Sequence, residues 1–183
     1  MRLWPAVICL WIAPLTAAER DFLTAAEVEQ VRQEQEPNKR LALYVGFAKE
    51  RIAYLEQLLA KEKPGRSKII HEVLGEYTRI IEAIDTVSDD ALSRRLPLDV
   101  GLKAVVDGEK AMLAFLDRVA AAPPKDSTLY QFALDQAILA TEDSLDLAQQ
   151  DLKSRASELA ERERKERDER EAAMRTEEVQ EKR

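Results

Sequence analysis

The sequence is poor in the residues that break a chain into strands. It holds 5 glycines, 7 prolines and 5% aromatics in 183 residues. Sandwiches and barrels need a turn about every 8–12 residues, so an all-β fold is excluded. Side chains for metal chemistry are scarcer still, with one histidine, His71, and one cysteine, Cys9. A ferritin-type di-iron bundle takes two Glu-x-x-His elements, and here Lys68 stands three residues before the single histidine. Zinc sites built on thiolates or several imidazoles lack their ligands. Ser88-Asp89-Asp90 is too short for a calcium loop and has no glycine, so it reads as a capping turn. The sequence has neither a Gly-x-Ser-x-Gly elbow nor a glycine-rich phosphate loop. No metal or cofactor is expected, and no catalytic residue is assigned. For nucleophilic catalysis only a triad on His71 stays open, because triads form in space rather than in sequence. With 28 basic against 35 acidic residues the net charge is −7, which argues against nucleic acid, a partner that wants a basic face.

What is present begins with a leader. Met1–Ala18 reads MRLWPAVICLWIAPLTAA: Arg2, an apolar run from Leu3 to Leu15, then Thr16-Ala17-Ala18 before Glu19. This is the three-part pattern of a secretory signal peptide cut after Ala18. The run is short of the ~20 residues that a membrane span takes. A retained anchor and a buried helix are the rivals; Pro5 and Pro14 inside the run disfavour the helix. A lipoprotein is disfavoured by the bulky Ile8 ahead of Cys9. Cleavage removes both tryptophans and the only cysteine, so the exported chain must be stabilised by a core rather than by disulfides. Periplasmic or secreted localisation follows. Scarce cysteine and the absence of an Asn-x-Ser/Thr sequon favour a bacterial route.

Helical periodicity dominates the rest. Residues 19–36 are expected to form a short helix and linker, opened by the capping-box pattern Thr24-Ala25-Ala26-Glu27. Residues 37–152 carry four amphipathic stripes. The first, from Pro37 to about Lys61, has Leu41, Tyr44, Val45, Ala48, Ile52, Leu55, Leu58 and Leu59. The second, Ser67 to Val87, has Ile70, Val73, Leu74, Tyr77, Ile80, Ile81, Ile84 and Val87. A short irregular or helical link, Ala91–Leu96, leads to the third, which begins at Pro97 with Leu98, Leu102, Val105, Met112, Leu116 and Val119. The fourth starts near Ser127 as N-cap, with Tyr130, Ala133, Leu134, Ala137, Ile138, Thr141, Leu145, Ala148 and Leu152. Short connections between long helices predict an all-α, up-and-down antiparallel four-helix bundle. Gly101 and Gly108, seven apart, predict close packing of the third helix.

Residues 153–183 are dense in charge and balanced, with six acid-to-base pairs at i,i+4 from Glu158–Arg162 to Glu178–Lys182. Each is worth roughly 0.2–0.5 kcal/mol, enough together to hold a charged helical extension. Leu152 and Leu159 begin a coiled-coil seam that Glu166 ends.

One constellation carries a functional expectation. Glu109 interrupts the stripe of the third helix, Thr141 and Ser144 interrupt the fourth, and Tyr77 brings a hydroxyl from the second. In an up-and-down bundle helix midpoints share a level, so Tyr77, Glu109 and Thr141 are predicted to form a central polar layer. They are the candidate ligand-binding residues, with Glu109 also a candidate acid of raised pKa. The plainer alternative has Thr141 bonding to its own helix, Tyr77 reaching the surface and Glu109 turning to solvent.

Three functions fit these features. The first is an exported, non-enzymatic scaffold or interaction bundle with a protein partner, off the membrane once the leader is cut. The second is a small-ligand or sensor bundle built on the polar layer. The third, least supported, is a hydrolase.

Overall fold

A computed structural model describes residues 21–181 of the chain, which are helical apart from short connections. Residues 1–18, expected to be a leader, lie outside the described residues. Five α-helices follow in order: α1 (Ala25–Gln33), α2 (Pro37–Leu59), α3 (Arg66–Ser93), α4 (Asp99–Ala121) and α5 (Gln131–Glu181), with a 3₁₀ turn at Ser127–Leu129 before α5.

The helix starts follow the local chemistry. Thr24 Oγ1 accepts from the Glu27 N–H, and Glu27 Oε2 accepts from the Thr24 N–H, completing the capping box. Pro37 fills the first position of α2, where a missing N–H costs nothing. Glu36 caps α2 by accepting from the Asn38 and Lys39 N–H groups. The start of α4 has no side-chain cap of its own. Asn38, the second residue of α2, supplies one: its Oδ1 accepts from the Gly101 N–H at 2.7 Å and its Nδ2 donates to the Pro97 carbonyl at 2.9 Å.

The helices α2 to α5 form the expected bundle. Its packed faces are α2–α3, α2–α4, α3–α5 and α4–α5. Direction alternates along the chain, yet α3 and α4 stand at opposite corners rather than side by side. Asn38 and Leu41 meet Gly101, and Val45 meets Gly108, so α2 and α4 run parallel. The two glycines make that approach possible: a Cβ on Gly101 would lie 3.0 Å from the Asn38 Cα, and one on Gly108 would lie 2.7 Å from Val45 Cγ1.

The diagonal crossing is made in five residues. Arg95 adopts φ 57°, the Arg95 N–H donates to the Leu92 carbonyl and the Leu96 N–H to the Ala91 carbonyl. This is a Schellman ending in which arginine holds the left-handed position that usually falls to glycine.

The four stripes supply the core. Leu41, Leu55, Ile70, Leu74, Ile80, Ile81, Ile84, Leu98, Leu102 and Leu116 are fully buried, each worth about 1.5–3 kcal/mol relative to exposure. Several boundaries differ from expectation. Ser88-Asp89-Asp90 forms no turn; α3 runs through it to Ser93 because Ile84, Ser88 and Ala91 continue the buried face. Accordingly, the Ala91–Leu96 link is helical as far as Ser93, and only Arg94–Leu96 leave the helix. The third helix of the bundle starts at Asp99 rather than Pro97, and Ser127 opens the 3₁₀ turn instead of capping α5. His71 is exposed.

The helix α5 has 51 residues against 28 in α3, or about 75 Å against about 42 Å. Asp151 still lies beside Ser88 and Asp89. Past that level about 30 residues remain, reaching about 45 Å as the expected charged extension.

Candidate functional site

The interior of the bundle is not uniformly apolar. Tyr77, Glu109 and Thr141 are each 0% exposed and Ser144 is 1% exposed. The helical register puts them at one level, on α3, α4 and α5, as the stripe interruptions predict. Their bonds divide into two short chains. The Tyr77 hydroxyl lies 2.8 Å from Thr141 Oγ1, which donates to the Ala137 carbonyl at 2.6 Å; the Tyr77 hydroxyl is therefore the donor to Thr141. Glu109 Oε1 lies 2.9 Å from Ser144 Oγ, which lies 2.6 Å from Asp85 Oδ1. Glu109 Oε2 is buried without a hydrogen-bond partner.

The plainer alternative holds for Thr141, which does bond to its own helix, and fails for the other two. Tyr77 does not reach the surface and Glu109 does not turn to solvent. Burial is the main influence on both. It pushes the Glu109 carboxyl up to about 8, against the smaller lowering effect of the Ser144 hydroxyl, and the Asp85 charge adds to the rise. It likewise raises the Tyr77 phenol well above its ordinary value. At neutral pH Glu109 is therefore a neutral acid. Asp85, half-buried, is also raised by burial, while Ser144 opposes the rise. The void lined by Ile84, Asp85, Ser88, Leu102, Val105 and Ala148 measures ≈ 10 Å³, about the room one water needs. The layer brings together the three candidate ligand residues in a packed interior.

Two further polar clusters were not expected from the sequence. Arg51 on α2 is 8% exposed. Its Nη1 and Nη2 donate to the two Glu27 oxygens at 2.7 and 2.9 Å, its Nε to Glu76 Oε2 at 2.9 Å, and Nη2 also to the Phe22 carbonyl at 3.1 Å. This fork fastens α1 to the bundle. Burial alone would raise the Glu27 carboxyl, but the Arg51 and Thr24 hydrogen bonds outweigh it and hold the group below its ordinary value. The signal was present: Arg51 sits three residues after Ala48 and four before Leu55, on the buried stripe. At the far end, Arg66 donates to both Asp126 oxygens at 2.9 and 2.7 Å, and the Ser67 hydroxyl donates to Oδ2 at 2.6 Å. The guanidinium and hydroxyl hold Asp126 well below the carboxylate range and fix the connection into α5. Nothing local in the sequence marks that pair, whose members lie 60 residues apart.

Among the described residues no group of three or more His, Cys, Asp or Glu side chains is arranged to hold a metal ion. No helix among them is long and apolar enough to cross a membrane.

The outer face of α5 is the remaining feature of note. Phe132 and Leu139, two turns apart, are 73% and 50% exposed; Leu147, 52% exposed, lies at the flank, where it also lines the void beside Ile84 and Leu102. Every charge on α5 up to Leu152 is acidic: Asp135, Glu142, Asp143, Asp146 and Asp151.

Compared with protein-family models, curated proteins and solved structures, the chain matches none. Its functional reading rests on its own residues.

Proposed function

We propose that the protein is an exported, non-enzymatic interaction module that docks a protein partner along α5. The observation that carries this reading is the outer face of that helix. Its inner face is already covered by α3 and α4, yet Phe132, Leu139 and Leu147 stand in solvent between acidic residues. Apolar side chains at helical spacing with charge of one sign around them suit a basic, amphipathic partner segment. The continuation of the same helix for about 45 Å beyond the bundle gives a strut along which such contact extends. Export is supported by the Met1–Ala18 pattern. A non-enzymatic role is supported by the state of the interior: Ser144, the most deeply buried serine, is engaged by two carboxylates and closed off by core side chains.

Two measurements test this. Intact mass of the exported chain should show loss of residues 1–18, and the product should have no tryptophan emission. Crosslinked partners should be lost from a Phe132→Ser/Leu139→Ser double variant and reduced when 153–183 is deleted. An unchanged partner set in both variants contradicts the docking role. The central polar layer favours a second reading, a sensor bundle, because it keeps a buried carboxyl oxygen of Glu109 without a hydrogen-bond partner, at a cost in stability.

A further inference from the structure

Glu109 and Asp85 reach the same hydroxyl from different helices. Ser144 Oγ lies within hydrogen-bond distance of Glu109 Oε1 and of Asp85 Oδ1, at 2.9 and 2.6 Å. A serine hydroxyl has a single hydrogen and cannot donate to two carboxylates at once. We infer that the bundle interior binds one exchangeable proton, carried by Glu109, which donates to Ser144 while Ser144 donates to the Asp85 carboxylate, so that the packed core responds to pH.

The two acids differ in a way that assigns the proton. Glu109 is fully buried with one oxygen unpartnered, whereas Asp85 is half-buried and borders the water-sized void. The charge is better tolerated on Asp85, nearer solvent. Other groups around the pair offer no compensation for a second negative charge. From α3 come Tyr77, whose hydroxyl is committed to Thr141, with Glu82 and Asp89 beside Asp85. From α5 come Ser144, Thr141 and Asp143. From α2, Lys49 lays its Cε and Nζ over Gly108, with the ammonium exposed to solvent and acting on Asp107 rather than on Glu109. Release follows the same chain outward. Glu109 passes its proton to Ser144 Oγ as Ser144 passes its own to Asp85, and Asp85 gives one proton to water. What remains is two carboxylates and one serine hydrogen, so the hydrogen bond to one acid is lost. The burial that lifts Glu109 to about 8 places this release at mildly alkaline pH. An interaction role on α5 and this proton site stand or fall separately, since their residues are different.

The test combines a carbon-13 titration of the glutamate carboxyls in the full chain with thermal unfolding of the parent and Glu109→Gln from pH 4 to 10. The expected result is one glutamate titrating near pH 8 and absent from the variant. The melting temperature of the parent should fall steadily relative to Glu109→Gln from about pH 4.5 to 8, then stay parallel above it. Asp85→Asn should move the midpoint down, because Ser144 becomes free to donate to Glu109. Ser144→Ala should move it up, because the ionised acid loses its donor. All glutamates titrating in the ordinary range, or an identical alkaline fall in parent and Glu109→Gln, would overturn the inference. Should Glu109→Gln fail to fold, the carboxyl titration of the parent decides alone.

Discussion

Arg51 and Glu109 are both ionisable residues set on apolar stripes, and the bundle treats them in opposite ways. Around Arg51 opposite charges meet: one guanidinium donates short, directed hydrogen bonds to the buried Glu27 and to the more exposed Glu76. Around Glu109 they do not: two acids share a serine hydrogen, and one acid stays neutral to be buried at all. The comparison shows that burial alone does not set the state of a polar group; the partner supplied by neighbouring helices does. It also gives the two regions opposite pH responses. Glu27 is held below its ordinary value, so its contribution is present above the unfolded pKa of about 4.5 and is lost as pH falls through the folded value. Glu109 is raised, so its contribution is complete below about 4.5 and is lost as pH rises toward about 8.

The largest expected effect is at Glu109. Between about pH 4.5 and 8 the parent should lose ~4–5 kcal/mol relative to Glu109→Gln, measured by denaturant unfolding at each pH. Next comes Arg51→Leu. Leaving Glu27 without its partner should cost roughly 3 kcal/mol, and the loss should appear as release of α1 while the bundle persists, because α1 packs chiefly on α2. Tryptic cleavage within residues 25–33 of the variant, with α3 protected, would check it. Gly108→Ala sharpens the contrast from inside. Its Cβ would lie 2.7 Å from Val45 Cγ1, so it should cost roughly 1–3 kcal/mol through overpacking. By parting α2 from α4 it should also lower the Glu109 midpoint and leave the acid response of α1 unchanged. The smallest effect serves as control. Arg95→Gly relieves a left-handed arginine at φ 57° and should raise stability by about 1 kcal/mol, with both pH responses intact.

Much of this was legible in the sequence, for a definable reason. Stripes such as Ile70–Val73–Leu74–Tyr77–Ile80–Ile81–Ile84 reveal which side of a helix is buried, and interruptions at Glu109, Thr141 and Ser144 reveal where polar groups enter. Arg51 obeys the same spacing, and the periodicity that exposed Glu109 applies to it equally. Ser88-Asp89-Asp90 misleads because its residue types favour turns, whereas Ser88 sits on the α3 stripe between Ile84 and Ala91, and tertiary burial outweighs local preference. Asp85 carries no sequence signal: it follows Ile84 at the edge of the stripe, and only the parallel packing of α3 and α5 brings it to Ser144. The diagonal crossing of α3 to α4 is hidden for the same kind of reason, since it depends on Asn38 and Gly101 meeting across 63 residues.

Hydrogen exchange followed at two pH extremes tests the contrast most directly. At pH 3.5 the amides of residues 25–33 should open first while those flanking Glu109 and Ser144 stay protected. At pH 9, after correction for intrinsic base catalysis, the order should reverse. The same segment opening first at both extremes would contradict the account.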